Sequence, residues 1–116
     1  MQPLTQRMQP IIDAIGFDAT ITLVAALGGT RVYLSRSPDS PVARAIGADH
    51  HAVLLHEIGA GPLDVPRCLN WVLARRNEEI IARSLAGETQ DELARRFRLT
   101  DRHIRRILQT ETQVPT

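Results

Sequence analysis

The C-terminal third of the chain contains two successive helix-start signals, and they constrain the fold more than any other feature. Thr89 is followed three positions later by Glu92, the spacing of a reciprocal cap at a helix N-terminus. Thr100 provides a second N-cap, and only Arg98 and Leu99 remain for the connection before it. The spacing therefore predicts two short helices joined by a tight turn.

The apolar residues of this segment occupy the positions that two crossing helices must bury. A small residue is required where the helices approach, and Ala94 stands there. The turn usually has glycine where this chain has Arg98, and a positive φ at Arg98 would cost about 1 kcal/mol. The other buried positions are Leu93, Phe97, Leu99, Ile104 and Ile107. This pattern predicts a helix-turn-helix.

Arginine is concentrated in the same segment. The chain has 14 basic residues, all of them arginine, against 13 acidic residues, yet residues 95–106 contain six arginines and a single acid. The planar guanidinium group suits bidentate contact with phosphate or guanine. A second helix with an arginine-rich outer face is typical of a helix that enters the major groove of DNA.

The outer face of the second helix predicts specific DNA contacts. Side chains near its N-terminal end are placed for base edges, and those at the caps and the turn for phosphates. The expected base contacts are Asp101, Arg102, Arg105 and Arg106. The expected backbone contacts are Thr89, Gln90, Arg95, Arg98, Thr100 and His103. A solvated arginine-rich surface on an ordinary helical hairpin is the alternative interpretation.

The N-terminal half predicts two helices that end at glycines. Residues 3–15 carry apolar side chains at spacings of three and four, and Gly16 ends this helix. A second helix, capped by Asp18, stops at the glycine pair 28–29, because glycine enters left-handed backbone without steric cost. Residues 35–41 contain two prolines and are expected to form a loop.

Residues 18–34 resemble residues 49–65. When the first segment is shifted by 31 positions, its capped helix, glycine turn and short strand align with the same elements of the second segment. Chance similarity of two such units is the alternative explanation. The strands, expected at about 30–34 and 63–65, are too short to be stable alone in water. Pairing with the same strands of a second chain would cover their exposed edges, so we expect a homodimer. The sequence does not decide whether the two strands pair within one chain or between chains. The expected dimerisation residues are Val32, Tyr33, Leu34, Leu63 and Val65.

After the second strand the pattern is helical. Apolar residues punctuate residues 67–86, with a break or bend expected at 75–77, and Gly87 ends the helix. The expected fold is therefore mainly α. Residues 1–68 form a dimerisation region of helices with one or two short strands, and residues 69–116 form a helix-turn-helix DNA-binding region.

The sequence carries no convincing signal for a metal, a cofactor or catalysis. His50, His51 and His56 with Cys68 suggest a zinc site, but their spacing does not suit one helical face and there is no Cys-x-x-Cys. A small hydrolase that uses Cys68 is a weaker alternative without a supporting motif. We therefore expect no metal, no cofactor and no enzyme.

The same absence of signal applies to membranes. The longest uncharged apolar run, residues 19–30, has 12 residues, whereas a membrane span needs ~20. A single cysteine is typical of a reducing compartment. We expect a cytoplasmic protein that associates with the bacterial nucleoid and not with a membrane.

Three segments together resemble a known family. They read GGTRVYL, ARRNEEIIARSLAG and ETQDELARRFRLTDRHIRRIL. In this order they are similar to the Mor family, the phage middle operon regulators that activate transcription. The resemblance covers residues 23–36 and 75–109, and the intervening residues 41–74 are longer than the family pattern. Gly28, Gly29, Val32 and Tyr33 match the glycine-strand element, and the apolar helix positions named above match the DNA-reading element.

The resemblance implies an N-terminal dimerisation region, a C-terminal helix-turn-helix, homodimeric binding to a dyad-like promoter site and contact with RNA polymerase. We therefore predict a phage or prophage regulator that binds specific double-stranded DNA. A phage interaction protein that uses the helical module to bind a host protein is the alternative. Neither composition nor spacing distinguishes activation from repression.

Overall fold

The structure is a computed structural model that describes residues 3–112, with side chains as far as residue 109. It confirms the mainly α class. The ends of the two predicted regions, residues 1–2 and 113–116, lie outside the described residues. The elements in chain order are α1 (Leu4–Leu27), β1 (Thr30–Leu34), α2 (Pro41–Ile46), α3 (Ala48–Ile58), β2 (Gly61–Val65), α4 (Leu69–Leu85), α5 (Gln90–Phe97) and α6 (Asp101–Thr112).

The chain folds as two compact units, residues 1–72 and residues 73–116. In the N-terminal unit, α1 packs against α2 and α3, and α2 packs against α3. Its core is apolar and includes the fully buried Leu23, Val42 and Leu54. The C-terminal unit contains most of α4 together with α5 and α6.

Helix α1 is interrupted at Gly16, as its sequence predicts. Gly16 has φ 82° and ψ 170°, a conformation that favours glycine, and helical geometry resumes after it. Asp18 lies two residues beyond this point, so it belongs to the first turn of the second half and is not its cap. The Thr20 hydroxyl, fully buried in the same turn, donates a hydrogen bond of 2.7 Å to the carbonyl oxygen of Gly16.

Helix α1 is long and apolar enough to cross a membrane by length and composition, and no other helix among residues 3–112 is. The uncharged run at 19–30 understates this length, because the 24-residue helix continues past the isolated charges of Asp13 and Asp18. Core helices of soluble proteins pass the same test. Eight residues of α1 are buried, and the helix packs on α2 and α3 in the manner of a core helix.

The predicted loop at 35–41 is shorter than expected because α2 begins at Pro41. Ser40 is its N-cap, and the Ser40 hydroxyl accepts a hydrogen bond of 3.3 Å from the backbone N–H of Ala43. A serine cap followed by proline at the first helical position is a favoured helix start. The sequence analysis interpreted both residues as part of the loop.

Strands β1 and β2 pair with each other, antiparallel, within one chain. The sequence left open whether they pair within one chain or between chains, and the structure pairs them within one chain; the homodimer expected from their exposed edges is not tested by this pairing. Strand β2 begins at Gly61, two residues before the prediction.

One face of this two-stranded sheet packs onto the core. Leu34 and Val65 are buried there, and Val32 and Leu63 are half-buried against the same core. Tyr33 is on the other face, where it is 60% exposed. It is therefore the only one of the five predicted dimerisation residues that is largely open to solvent.

Helix α4 runs without a break from Leu69 to Leu85, so the expected break at 75–77 is absent. The helix ends at Gly87, as predicted. Gly87 has φ 109°. Its N–H donates to the carbonyl oxygen of Ser84, and the N–H of Glu88 donates to the carbonyl oxygen of Arg83. This bond pair satisfies the last carbonyls of the helix.

Candidate nucleic-acid interface

Helix α5 begins with the reciprocal cap that the sequence predicts. The hydroxyl of Thr89 accepts the N–H of Glu92 at 3.2 Å, and the Glu92 carboxylate accepts the backbone N–H of Thr89 at 3.2 Å. The Thr89 hydroxyl also donates to that carboxylate at 3.0 Å. These bonds fix the start of a helix of only eight residues.

The turn between α5 and α6 is closed by left-handed backbone at Arg98. Arg98 has φ 57° and ψ 45° and is the only non-glycine residue with positive φ among residues 3–112. Its N–H and that of Leu99 both bond to the carbonyl oxygen of Ala94. Arg98 therefore adopts the left-handed conformation whose cost was considered from the sequence.

Helices α5 and α6 pack against each other through the predicted apolar positions. Leu93 and Ile104 are fully buried, and Leu99, in the turn, is half-buried. The other buried residues of this contact are Ala94, Phe97 and Ile107. Burial of these positions fixes which face of α6 points to solvent.

The exposed face of α6 consists of polar and charged side chains. At 100° per residue its members span about 140° of the helix circumference. They are Asp101, Arg102, Arg105, Arg106 and Gln109, all exposed. The hydroxyl of Thr100 accepts the N–H of His103 at 3.0 Å and caps this helix. The structure therefore places the four predicted base-contact residues on one surface.

The arginines of the C-terminal unit divide into two groups. Those on α4 and α5 are mostly neutralised: Arg75, Arg83, Arg95 and Arg96 each have a carboxylate within 4 Å. Those of the turn and α6 have no ion pair or hydrogen-bond partner among the described residues. They are Arg98, Arg102, Arg105 and Arg106. We call these four the unpaired arginine group.

Glu88 accounts for part of this division. Its carboxylate accepts hydrogen bonds from Arg83 of α4 at 3.0 Å and from Arg96 of α5 at 3.2 Å. Burial opposes ionisation, but the bonds from Arg83 and Arg96 lower the pKa of Glu88 below its ordinary value. Glu88 therefore joins the end of α4 to α5 and occupies both guanidinium groups. Glu88 is not among the residues predicted from the sequence, because its partners are five and eight positions away.

Arg76 of α4 is the one buried arginine among the described residues, 8% exposed. Its Nε and one terminal nitrogen donate to the side-chain oxygen of Asn77, and burial lowers the pKa of Arg76. Burial, followed by repulsion from Arg76 and Arg106, lowers the pKa of His103. The predicted phosphate contact His103 is thus a half-buried imidazole that favours its neutral form.

The other predicted phosphate contacts differ in their availability. Gln90 is exposed at the first position of α5. Arg95 is exposed and lies 3.6 Å from Asp91, an i,i+4 spacing visible in the sequence. The hydroxyls of Thr89 and Thr100 serve as helix caps, and Thr89 uses both its donor and its acceptor capacity in doing so.

The residues considered for zinc have separate partners. Nε2 of the buried His51 lies 2.7 Å from the carbonyl oxygen of Ser35. Nδ1 of His50 lies 3.1 Å from that of Ile46, and His56 lies beside Glu57 on the surface. Within residues 3–112 no three histidine, cysteine or acidic side chains are placed to hold a metal ion. Burial raises the pKa of Cys68, which disfavours a nucleophilic thiolate.

Comparison with known protein families gives a match between residues 35–114 and the model of the Mor transcription activator family. This match spans more than half of the chain. The chain belongs to the Mor transcription activator family. The family is one of transcription regulators and not of enzymes. Neither the curated proteins nor the solved structures contain a match to this chain.

The extent of the Mor match corrects the extent of the resemblance seen in the sequence. Residues 41–74 lie inside the match, although they were interpreted as longer than the family pattern. The glycine-strand segment at 28–34 lies outside it. The family-matched part of the chain therefore contains α2 to α6 and β2, and not α1 or β1.

Proposed function

We propose that this Mor family member is a phage or prophage transcription regulator that binds specific double-stranded DNA through α6. In this proposal α5 and α6 act as a helix-turn-helix, with α6 in the major groove. The observation that carries it is the unpaired arginine group. Four exposed guanidinium groups without a carboxylate partner among the described residues leave a strong positive surface that phosphate anions can neutralise.

Within this surface we assign different roles by position along α6. Arg102 and Arg105 point outward near its N-terminal end and are proposed to contact guanine, with Arg106 next to them. Asp101 accepts from a cytosine amine or orients a neighbouring arginine. Arg98, in the turn, is proposed to bind phosphate together with Gln90, Thr100 and the backbone N–H groups at the start of α5.

The remaining predicted contacts carry less of the proposal. Arg95 must break its ion pair with Asp91 to contact phosphate. The free-energy cost is small because the pair is exposed to solvent. Thr89 is the weakest of the proposed contacts, because Glu92 occupies both its hydroxyl and its backbone N–H. Neutral His103 donates at most one hydrogen bond to phosphate.

Contact with RNA polymerase is proposed as the route to activation, because the family is named for activators. DNA binding would place the protein in the cytoplasm with the nucleoid. The homodimer expected from the sequence rested on the exposed edges of two short strands and on the Mor resemblance, and the strands pair with each other within one chain. The mass of the protein in solution decides between a homodimer and a monomer.

The proposal is tested by fluorescence anisotropy of a labelled random duplex pool at several salt concentrations. The triple variant Arg102→Ala, Arg105→Ala and Arg106→Ala is measured beside the unmodified chain. Each lost phosphate contact lowers the slope of log affinity against log salt by about 0.9. Each lost bidentate base contact costs about 1–3 kcal/mol. We expect weaker binding and a flatter salt dependence.

A matched control changes Arg31, Arg36 and Arg44 to alanine, which removes the same charge from exposed positions of the N-terminal unit. This control is expected to retain most of the affinity. Equal losses of DNA affinity in the two triple variants would show that binding depends only on net charge, and would contradict the role of α6. A folded chain that binds no DNA at low salt would favour the alternative, a phage protein that binds a host protein.

A further inference from the structure

We infer that the N-terminal unit consists of two copies of one helix-strand segment, related by two-fold symmetry. The strands of the two copies pair within one chain, whereas a single copy would need a second chain to pair its strand. The first copy is residues 10–36 and the second copy is residues 41–67. The protein is then a monomer with one α6 per molecule. For DNA, the inference rests on the proposed function. It then predicts that one chain binds one half-site.

The repeat is visible along the whole length of the two copies. A shift of 31 positions aligns them without a gap and gives eight identical residues in 27. The identities include Gly16 with Gly47, Leu23 with Leu54, and the Arg36 and Arg67 that follow the strands. The match found from the sequence, 18–34 with 49–65, is thus the central part of a longer repeat.

The backbone repeats at the same interval. Gly16 has φ 82° and ψ 170°, and Gly47 has φ 87° and ψ 164°. The helices that follow these glycines end at residues 27 and 58. The strands cover 30–34 and 61–65. Every one of these boundaries differs from its counterpart by 31 positions, so the similarity extends from sequence to conformation.

The strand register shows that the two copies are related by a two-fold axis. Val32 lies directly opposite Leu63, its own counterpart after a shift of 31. Under the same operation the pair of Thr30 with Val65 exchanges with the pair of Leu34 with Gly61. A two-fold axis at the Val32–Leu63 pair therefore relates the two strands. The same kind of axis relates the two subunits of a symmetric dimer.

The two copies also share one core. Leu23 and Leu54 are both 0% exposed, and the strand counterparts Leu34 and Val65 are both 1% exposed. All four belong to the same apolar cluster. A single copy would expose its apolar residues and leave its strand without a partner, which is unstable in water. With two copies in one chain, the apolar residues are buried and each strand has a partner, so neither requires a second chain.

The family match adds an independent observation. Residues 35–114 contain the second copy and the C-terminal helices, whereas the helix and strand of the first copy lie outside the match. The chain thus consists of one Mor family unit preceded by an additional copy of its helix-strand half. That additional copy occupies the face through which the second copy pairs.

The test asks whether the strands pair within one chain or between two chains. Arg31 and Asp64 lie opposite each other on the exposed face of the sheet. Opposite residues have Cβ atoms about 4.5–5.5 Å apart, close enough for a disulfide after a small adjustment. In the full chain we introduce Arg31→Cys with Asp64→Cys, and Cys68→Ala to remove the natural thiol. Arg31→Cys with Cys68→Ala is the control that cannot form this bond.

After oxidation we expect a cross-linked monomer in a denaturing, non-reducing gel. We also expect the unmodified chain to sediment at 12.9 kDa at micromolar concentration. A covalent dimer specific to the double-cysteine variant, or a stable dimer of the unmodified chain, would overturn the inference. Neither measurement contains DNA, so failure of the proposed DNA binding leaves the result unaffected.

Discussion

The two units of this protein obtain their stability in different ways. The N-terminal unit contains a continuous apolar core shared by two similar copies, in which Thr20 and His51 are among the few buried polar residues. The C-terminal unit has a smaller apolar contact between α5 and α6, and adds helix caps and ion pairs around Glu88. This difference indicates which unit presents a surface for a charged partner. Charges in the first unit are few and scattered, whereas the second unit presents four arginines that its own acids do not neutralise.

The largest effect is expected in the shared core. Leu54→Ala removes a fully buried side chain and should lower the free energy of unfolding by about 2–5 kcal/mol. Leu23→Ala, at the equivalent position of the other copy, should cost a similar amount. Urea unfolding measures both, with Val53→Ala, 42% exposed on the same helix, as the control. A cost confined to one of the two leucines would contradict the equivalence of the copies.

In the C-terminal unit a smaller loss is expected from a helix cap. Thr89→Ala removes the hydroxyl that caps α5 and should cost about 1 kcal/mol. Thr22→Ala is the control, because Thr22 is exposed in the middle of α1 and caps no helix. Thermal unfolding followed by circular dichroism compares the two. Equal behaviour of the two variants would show that the cap contributes nothing.

The turn between α5 and α6 is expected to separate stability from binding. Arg98→Gly relieves the positive φ and should raise the free energy of unfolding by about 0.5–1 kcal/mol. It also removes one member of the unpaired arginine group, so affinity for DNA should fall. Arg98→Asn is the control, since asparagine tolerates this backbone but lacks the charge. If Arg98→Gly lowered stability, left-handed strain at this turn would be excluded.

The smallest effect is expected from pH. Because the pKa of His103 is lower in the folded chain than its ordinary 6.5, folding favours the neutral imidazole. This contribution is complete above pH 6.5 and is lost as the pH falls below that value. NMR titration should find the His103 pKa below 6.5, and Arg76→Met should raise it by removing a nearby positive charge. An unchanged His103 pKa in the Arg76→Met variant would contradict the repulsion.

The sequence predicted best what depends on neighbouring residues. Both caps and the helix end at Gly87 are confirmed, because each is decided within a few positions. Helix α2 was missed although Ser40 and Pro41 carry a favoured start signal, because two prolines in seven residues suggested a loop. The break considered at 75–77 is absent, because neither proline nor glycine interrupts the helix there and arginine favours it.

What the sequence could not provide are the contacts between distant residues. The similarity of residues 18–34 and 49–65 was apparent, but the pairing of Val32 with Leu63 depends on how the two copies meet. The division of the arginines depends likewise on Glu88, which reaches across from one helix to another. Which arginines remain available therefore required the structure.

The buried polar residues of the N-terminal unit differ between the copies. Thr20 and His51 occupy equivalent positions, yet Thr20 bonds to Gly16 of its own copy, whereas His51 reaches the Ser35 carbonyl of the other copy. The backbone symmetry of the two copies is therefore broken in this one hydrogen bond. The imidazole of the second copy ties the two halves together, and the Thr20 hydroxyl of the first copy does not do so in return.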